Sequence, residues 1–288
     1  MLNIGLIGNT ENLKHFAKEI QKNKQVNIIG KASVGTVHQL NSFHYSIPEI
    51  NRIELIERAD ILLIDNSFVM ANKLYGDIIR KSKHIFAVKY PDFTIDECTQ
   101  LVKLANESGS VVQISNPYFY TPAVQWLGKN GFSPVFLDIA NFTENEEKSE
   151  KLFQILLMLI DLTGISPKKV GAVTFKSAPN ESDFTNIRLE YDDASIVNIS
   201  YGKIGSVEEF KIRAYTRDQF TTFNFLRNTF VCNNQPIKFS DTDKVDEFES
   251  FIKSILSNSK KKSTLEDYLI VLSLAQKINK KITQFNTQ

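Results

Sequence analysis

Two cysteines, Cys98 and Cys232, are all that the 288 residues contain. They imply no disulfide framework, so the fold must rest on its core and suits a reducing compartment. Neither sign of charge dominates: 34 Lys and Arg stand against 33 Asp and Glu, a formal net charge of +1. That balance gives no electrostatic case for a nucleic-acid partner. No apolar run reaches bilayer-spanning length, and the N-terminus enters a strand without a charged and apolar leader. The expectation is a cytoplasmic globular protein with no membrane contact. The four histidines, His15, His38, His44 and His84, are dispersed, and with two distant cysteines they make no metal-ligand spacing. A G-x-S-x-G elbow and a G-x-x-x-x-G-K phosphate loop are absent too. The 42% hydrophobic and 23% charged content is that of an ordinary soluble chain, and the length favours two domains over one.

The stretch His84-Ile-Phe-Ala-Val-Lys-Tyr-Pro91 organises the rest. Its apolar first half suits a strand buried on both faces, and Pro91, which cannot donate to a ladder, must end it. Lys89 is thereby delivered to the carboxyl edge of a parallel sheet, where ligands of open α/β sheets sit. It is either a functional lysine or an ordinary one at a strand end. Before it, Leu2 to Ile7, Val26 to Ala32 and Ile61 to Asp65 read as strands, and residues 33 to 53 are weakly patterned. Leu13, Phe16, Ala17 and Ile20, and later Ala71, Leu74, Tyr75, Ile78 and Ile79, recur at helical spacing. After it, Thr94-Ile-Asp-Glu97 is a capping box, its helix stops at Gly109, and Val111 to Ile114 is one more strand. Alternating strands and helices predict a doubly wound Rossmann domain over residues 1–116.

From residue 117 the rhythm changes. Val135 to Ala140, Gly171 to Phe175, Asn186 to Tyr191, Ile196 to Tyr201, Phe210 to Tyr215 and Phe220 to Phe225 read as strands, several with the period-two alternation of a sheet with one wet face. Asp192-Asp193-Ala194 is a turn between two of them. An apolar helix spans Leu152 to Leu162 before Gly164, and Ser263-Thr-Leu-Glu266 reads as the capping box of a closing helix over residues 264–280. Residues 117–288 are expected to form an α+β domain with an open, mostly antiparallel sheet, the closing helix packing near the junction.

In this order the segments resemble the Gfo/Idh/MocA oxidoreductases, named for glucose–fructose oxidoreductase, inositol dehydrogenase and a rhizopine-catabolism protein. Ile4-Gly-Leu-Ile-Gly8 is similar to the family's first strand and glycine, and Ala59 to Asp65 to the strand before its nicotinamide-side loop. Lys83 to Pro91 resembles its G-K-H-V-x-x-E-K-P motif, and Thr94 to Gly109 the helix that follows. Leu159 to Gly164 resembles the end of the helix bearing the catalytic histidine, Leu189 to Asn198 its hairpin, and Leu265 to Ile278 its last helix. The resemblance implies an NAD(P)-dependent oxidoreductase, with Gly8, Asn9, Thr10, Ser33, Asp65, Asn66, Ser67 and Lys89 placed toward NAD or NADP.

The departures are specific. Of the dinucleotide glycines only Gly8 is kept; Thr10 and Leu13 stand at the second and third positions, where a side chain crowds the diphosphate or the helix–strand contact. A loop that binds no cofactor is therefore open beside one that does. Lys31 and Ser33 replace the acidic residue at the end of the second strand, which suits a 2′-phosphate. Val88 replaces the motif's glutamate and Tyr90 intervenes before its proline. The family's catalytic histidine falls by count on Gln154, and an amide cannot act as a general base near neutral pH. The resemblance thus leaves three readings: an oxidoreductase with altered or lost machinery, a relative of biliverdin reductase, which does not use the histidine dyad, or an inactive ligand-binding or assembly protein.

Pro117-Tyr-Phe-Tyr-Thr-Pro122 and Trp126 form an aromatic cluster at the expected domain boundary. Tyr118, Tyr120 and Trp126 line a small-molecule cleft there or pack the domains. Asp65, Asn66 and Ser67 meet a nicotinamide or cap the next helix. An open sheet with an apolar face is expected to pair with a second copy, giving a homodimer or higher homo-oligomer through the C-terminal sheet.

Overall fold

The apolar runs of the first 116 residues become five strands: β1 (Leu2–Ile7), β2 (Val26–Ala32), β3 (Ile61–Ile64), β4 (His84–Ala87) and β5 (Val112–Ile114). The computed structural model describes residues 1–8, 13, 16–17, 20, 23–32, 47–65, 71–130, 135–143, 148–176, 182–240, 243–257 and 259–286. The strand order is β2-β1-β3-β4-β5, and every pairing is parallel. Chain order therefore reverses at β1, the point where an open α/β sheet leaves a crevice beyond its carboxyl ends. Helices Ala71–Arg80 and Ile95–Ser108 accompany the sheet. Thr94 and Glu97 complete the expected capping box, and Gly109 ends that helix at φ +70°. Leu13, Phe16, Ala17 and Ile20 are helical as their spacing predicts, and Leu13, Ala17 and Ile20 are buried.

The second sheet has eight strands in the order β13-β12-β11-β10-β6-β9-β8-β7. They are β6 (Phe136–Phe142), β7 (Lys169–Lys176), β8 (Ser182–Glu190), β9 (Ile196–Ile204), β10 (Glu209–Tyr215), β11 (Phe220–Asn224), β12 (Thr229–Cys232) and β13 (Gln235–Pro236). Among the described residues, only the β6–β9 pairing of this sheet is parallel. Register aligns the buried side chains in rows, because residues two apart share a face. Ile187, Ile199, Ile139, Ile212 and Phe223 make one apolar row, and Leu189, Val197, Leu137 and Ala214 another. A third row is polar: Thr174, Thr185, Tyr201 and Asn141. Thr174 and Thr185 share a 3.2 Å hydrogen bond.

The chain divides into two compact units, Met1–Asn116 with Asp246–Leu269, and Pro117–Val245 with Ile270–Gln288. Asp246–Leu269, expected with the second domain from its place in the chain, thus clusters with the first. The reason is apolar. Helix Glu247–Leu256 brings Phe248, Phe251 and Ile252 into one core with Ile4, Leu6, Ile61, Leu63 and Phe86. Its Asp246 cap accepts from the Glu249 amide.

Three further elements differ from expectation. Arg52–Arg58 and Pro122–Lys129 are short helices, the first capped by Asn51 and the second opening on a proline. The capping box of helix Leu265–Asn286 lies one residue later than its sequence suggested. Thr264 Oγ1 accepts from the Asp267 amide, and the Asp267 carboxylate accepts from the Thr264 amide. Ser263 instead sits at φ +50° and is fully buried, its carbonyl accepting from the Ile114 amide. Sheet extension at β5 overrides the cap.

At the amino end of β4, His84 Nδ1 accepts from the Val111 amide at 3.0 Å. Burial holds its pKa below the usual imidazole value, with Lys261 and Lys83 adding and Asp60 opposing. The folded state therefore favours the neutral ring, whereas the unfolded chain takes up its proton near pH 6.5. This contribution is complete above about pH 6.5 and is lost as pH falls toward the lower folded value. The melting temperature should drop between pH 7.5 and pH 5, and drop less in His84→Asn, which keeps an acceptor without the titration. An equal drop in both proteins contradicts this role.

Candidate functional site

Of the expected site residues that are described, Gly8, Asp65 and Lys89 lie at the carboxyl edge of the parallel sheet, and Tyr118, Tyr120, Trp126 and Gln154 lie in the second unit. β1 ends in Gly8 at φ +129°, a conformation that side chains rarely adopt. A Cβ there would lie 2.8 Å from Asp65 Cβ and 3.0 Å from the Asp65 carbonyl oxygen. Gly8 N–H donates to the Ala32 carbonyl, and Asp65 N–H to the Ile7 carbonyl at 3.0 Å. Gly8 is thus required by close approach of the ends of β1 and β3, at the point where strand order reverses. Asp65 is completely buried against this turn. It is enclosed by the fold, not displayed at the surface. Lys31 is also nearly buried, its backbone paired with Pro48 and Ile50. Asn9, Thr10, Ser33, Asn66 and Ser67 lie outside the described residues.

β4 delivers Lys89 to the same edge. Val88 N–H makes the last sheet bond, to the Ile64 carbonyl at 2.8 Å, and Lys89 is exposed just beyond it. β5 is extended by Ser115 and Asn116, both buried and held by residues that sequence reasoning missed. Glu247 accepts from Ser115 Oγ at 3.0 Å and from the Asn116 amide at 2.5 Å. Asn116 Nδ2 donates to Ser263 Oγ at 3.1 Å. Tyr268 Oη donates to the Pro91 carbonyl at 2.7 Å. These partners lie more than 130 residues away in sequence, so no local pattern could have paired them. The mixed signal of Ser115-Asn116 before Pro117, polar groups at a buried strand end, was the only hint.

In the second unit, Tyr118 is half-buried, its Oη accepting from Asn141 Nδ2 at 3.3 Å and its ring 4.6 Å from that of Phe210. Burial raises its pKa, the Asn141 bond opposes, and Glu150 adds. At neutral pH it is a neutral phenol. Trp126 meets Phe223 edge-on at 6.0 Å, and Tyr120 meets Phe119 at 5.2 Å. Phe210, Phe225, Phe230 and Phe223 link Tyr118 to Trp126 through successive ring contacts. Tyr118 and Trp126 are therefore members of the aromatic packing on the second sheet, with Tyr118 partly open. Gln154 lies half-buried on helix Lys148–Thr163, just before the buried run Ile155 to Asp161. The one described histidine, His84, stands at the opposite end of β4 from Lys89. Among the described residues, no three His, Cys, Asp or Glu side chains converge as a metal site, and no helix is long and apolar enough to cross a membrane.

By sequence, no family model and no curated protein matches this chain. By structure, it is similar to UDP-N-acetylglucosamine 3-dehydrogenase from Acidithiobacillus ferrooxidans, at 17% identity and a TM-score of 0.82, over 99% of this chain and 98% of that one. The MviM dehydrogenase from Clostridium difficile superposes with a TM-score of 0.81 at 15% identity, over 98% of this chain and 99% of that one. A biliverdin reductase from Synechocystis, solved with biliverdin and NADP+, gives 0.73 at 14%, with the same coverage. At these identities the likeness establishes a shared two-sheet fold along the whole length.

Gly8→Ala should lower stability by about 1–3 kcal/mol, the usual cost of forcing a side chain into such backbone. A melting temperature equal to that of the unaltered protein would show that the β1–β3 contact is looser than described.

Proposed function

We propose that the chain is an NAD(P)-dependent oxidoreductase of the Gfo/Idh/MocA type whose proton-transfer group is not a histidine. The observation that carries this reading is the carboxyl edge of the first sheet, where a glycine-dependent turn at the switch point ends β1 and an exposed lysine follows β4, with β3 between them. The full-length likeness to three oxidoreductases supports it. Gly8 keeps the first glycine of the dinucleotide fingerprint at the end of β1, which is compatible with a dinucleotide there, although its own tight contact is with Asp65. Bound, the nicotinamide would accept or deliver a hydride. Lys89 would then polarise the reacting oxygen, holding charge at its Nζ. Gln154 can donate and accept hydrogen bonds but cannot take a proton. Within the second unit, Tyr118 is proposed as a ligand-contacting residue, being a partly open member of its aromatic cluster, with Tyr120 and Trp126 among the packing. A small organic substrate, with no nucleic acid or membrane, completes the reading, and NADP is preferred to NAD because no acidic residue ends β2.

Calorimetry with NADH and NADPH tests it directly. Saturable binding of one of them supports the proposal; a folded protein that binds neither overturns it. Turnover of simple sugars and inositols should be slow, since lack of a general base costs about a hundred- to ten-thousandfold. Lys89→Met should abolish most of the activity that exists, and Gln154→Ala should change it little. Activity surviving Lys89→Met would place the chemistry elsewhere.

Assembly belongs to the same proposal. Ile196, Asn198 and Ser200 of β9 and Lys211, Arg213 and Tyr215 of β10 alternate with the buried positions of their strands, so they share the other face. Phe175 and Phe220 are exposed on β7 and β11. A second copy is proposed to cover that face as a homodimer. Light scattering that gives a monomer at tens of micromolar would contradict this part alone.

A further inference from the structure

The turn bearing Lys89 is anchored on both sides. Upstream, Val88 N–H is bound to Ile64. Downstream, the Pro91 carbonyl accepts two hydrogen bonds, from the Phe93 amide at 3.0 Å and from Tyr268 Oη at 2.7 Å. Pro91 has no N–H to offer, so this carbonyl is its only backbone handle. Tyr268 is 1% exposed, on the second turn of helix Leu265–Asn286. Its ring lies 5.9 Å from that of Tyr90, and Phe93 packs edge-on against Tyr75 at 5.1 Å. Burial drives the Tyr268 hydroxyl pKa far up, with Cys98 and Asp92 adding. It is therefore a protonated donor at neutral pH.

We infer that Tyr268 is a positioning residue for Lys89, fixing the path of the chain from Val88 to Pro91 so that the lysine is held at the sheet edge. This rests on the reading of Lys89 as the charged group facing the ligand. A packing role alone would need the ring, which sits in a buried contact with Tyr90. The hydroxyl does something separate: it adds a second hydrogen bond to the Pro91 carbonyl, beside that of the Phe93 amide, and ties the turn to a helix distant in sequence. Losing the hydroxyl removes a hydrogen bond between the turn and the closing helix, leaving the Pro91 carbonyl held by the Phe93 amide, so the turn would be free to shift.

Tyr268→Phe keeps the ring and deletes one oxygen. With lysines labelled by reductive ¹³C-methylation, and the Lys89 resonance assigned by its loss in Lys89→Met, that resonance should move by more than its linewidth in Tyr268→Phe. Signals from Lys24 and Lys253 should stay in place, and NADPH affinity should weaken by about three- to tenfold. A Lys89 resonance that coincides in the two proteins overturns the inference. If Tyr268→Phe does not fold, hydrogen exchange in the unaltered protein decides: a protected Phe93 amide supports the clamp, and exchange as fast as in an exposed loop overturns it. Failure of the underlying reading is visible separately, as a Lys89→Met protein whose NADPH and NADH affinities are unchanged.

Discussion

A parallel sheet must be covered on both faces, because its strands are apolar on both. Here one face is closed around Phe86. Its ring meets Phe16 at 5.4 Å, Phe248 at 5.4 Å and Phe251 at 5.3 Å. The last two come from a helix that begins at residue 247. Burying such a side chain contributes roughly 1.5–3 kcal/mol. The requirement for that cover explains why Asp246–Leu269 joins the first unit. It also explains the edge, since the same segment carries Glu247, Ser263 and Tyr268 to the ends of β4 and β5.

That dependence ties packing to the candidate chemistry. Glu247 and Ser263 hold the exit of β5, Tyr268 holds the turn after β4, and the Gly8–Asp65 contact shapes the exit of β1. Lys89, proposed above to face the ligand, is exposed, yet the backbone on either side of it is bonded. A site of this kind gains precision from rigid supports instead of from the lysine's own contacts. Buried polar groups must be satisfied to be tolerated, and at the end of β5 Glu247 and Ser263 do so for Ser115 and Asn116.

Much of this was legible in the sequence. Ile61 to Ile64 and Ile85 to Ala87 read as buried strands because they are apolar throughout, and the Thr94–Glu97 box with Gly109 marked a helix by chemistry confined to its own turns. The position of Lys89 followed from Pro91. The Ser263 box misled because two candidate caps stood side by side and a tertiary constraint, the bridge to β5, selected Thr264. Phe248, Phe251 and Ile252 had helical spacing that went unread, and nothing local tells which sheet they cover. Glu247 and Tyr268 were illegible for the same reason: their partners are set by the fold. In the second unit, alternation located the strands, but register alone revealed that Thr174, Thr185, Tyr201 and Asn141 form a row.

We propose that a nicotinamide cofactor binds at the carboxyl edge of the first sheet. Hydrogen exchange followed with and without saturating NADPH localises it. Protection is predicted at Ile7–Gly8, Ile64–Asp65 and Val88–Tyr90, with the amino ends of the same strands unchanged. Binding that protects only segments outside this edge would contradict the account.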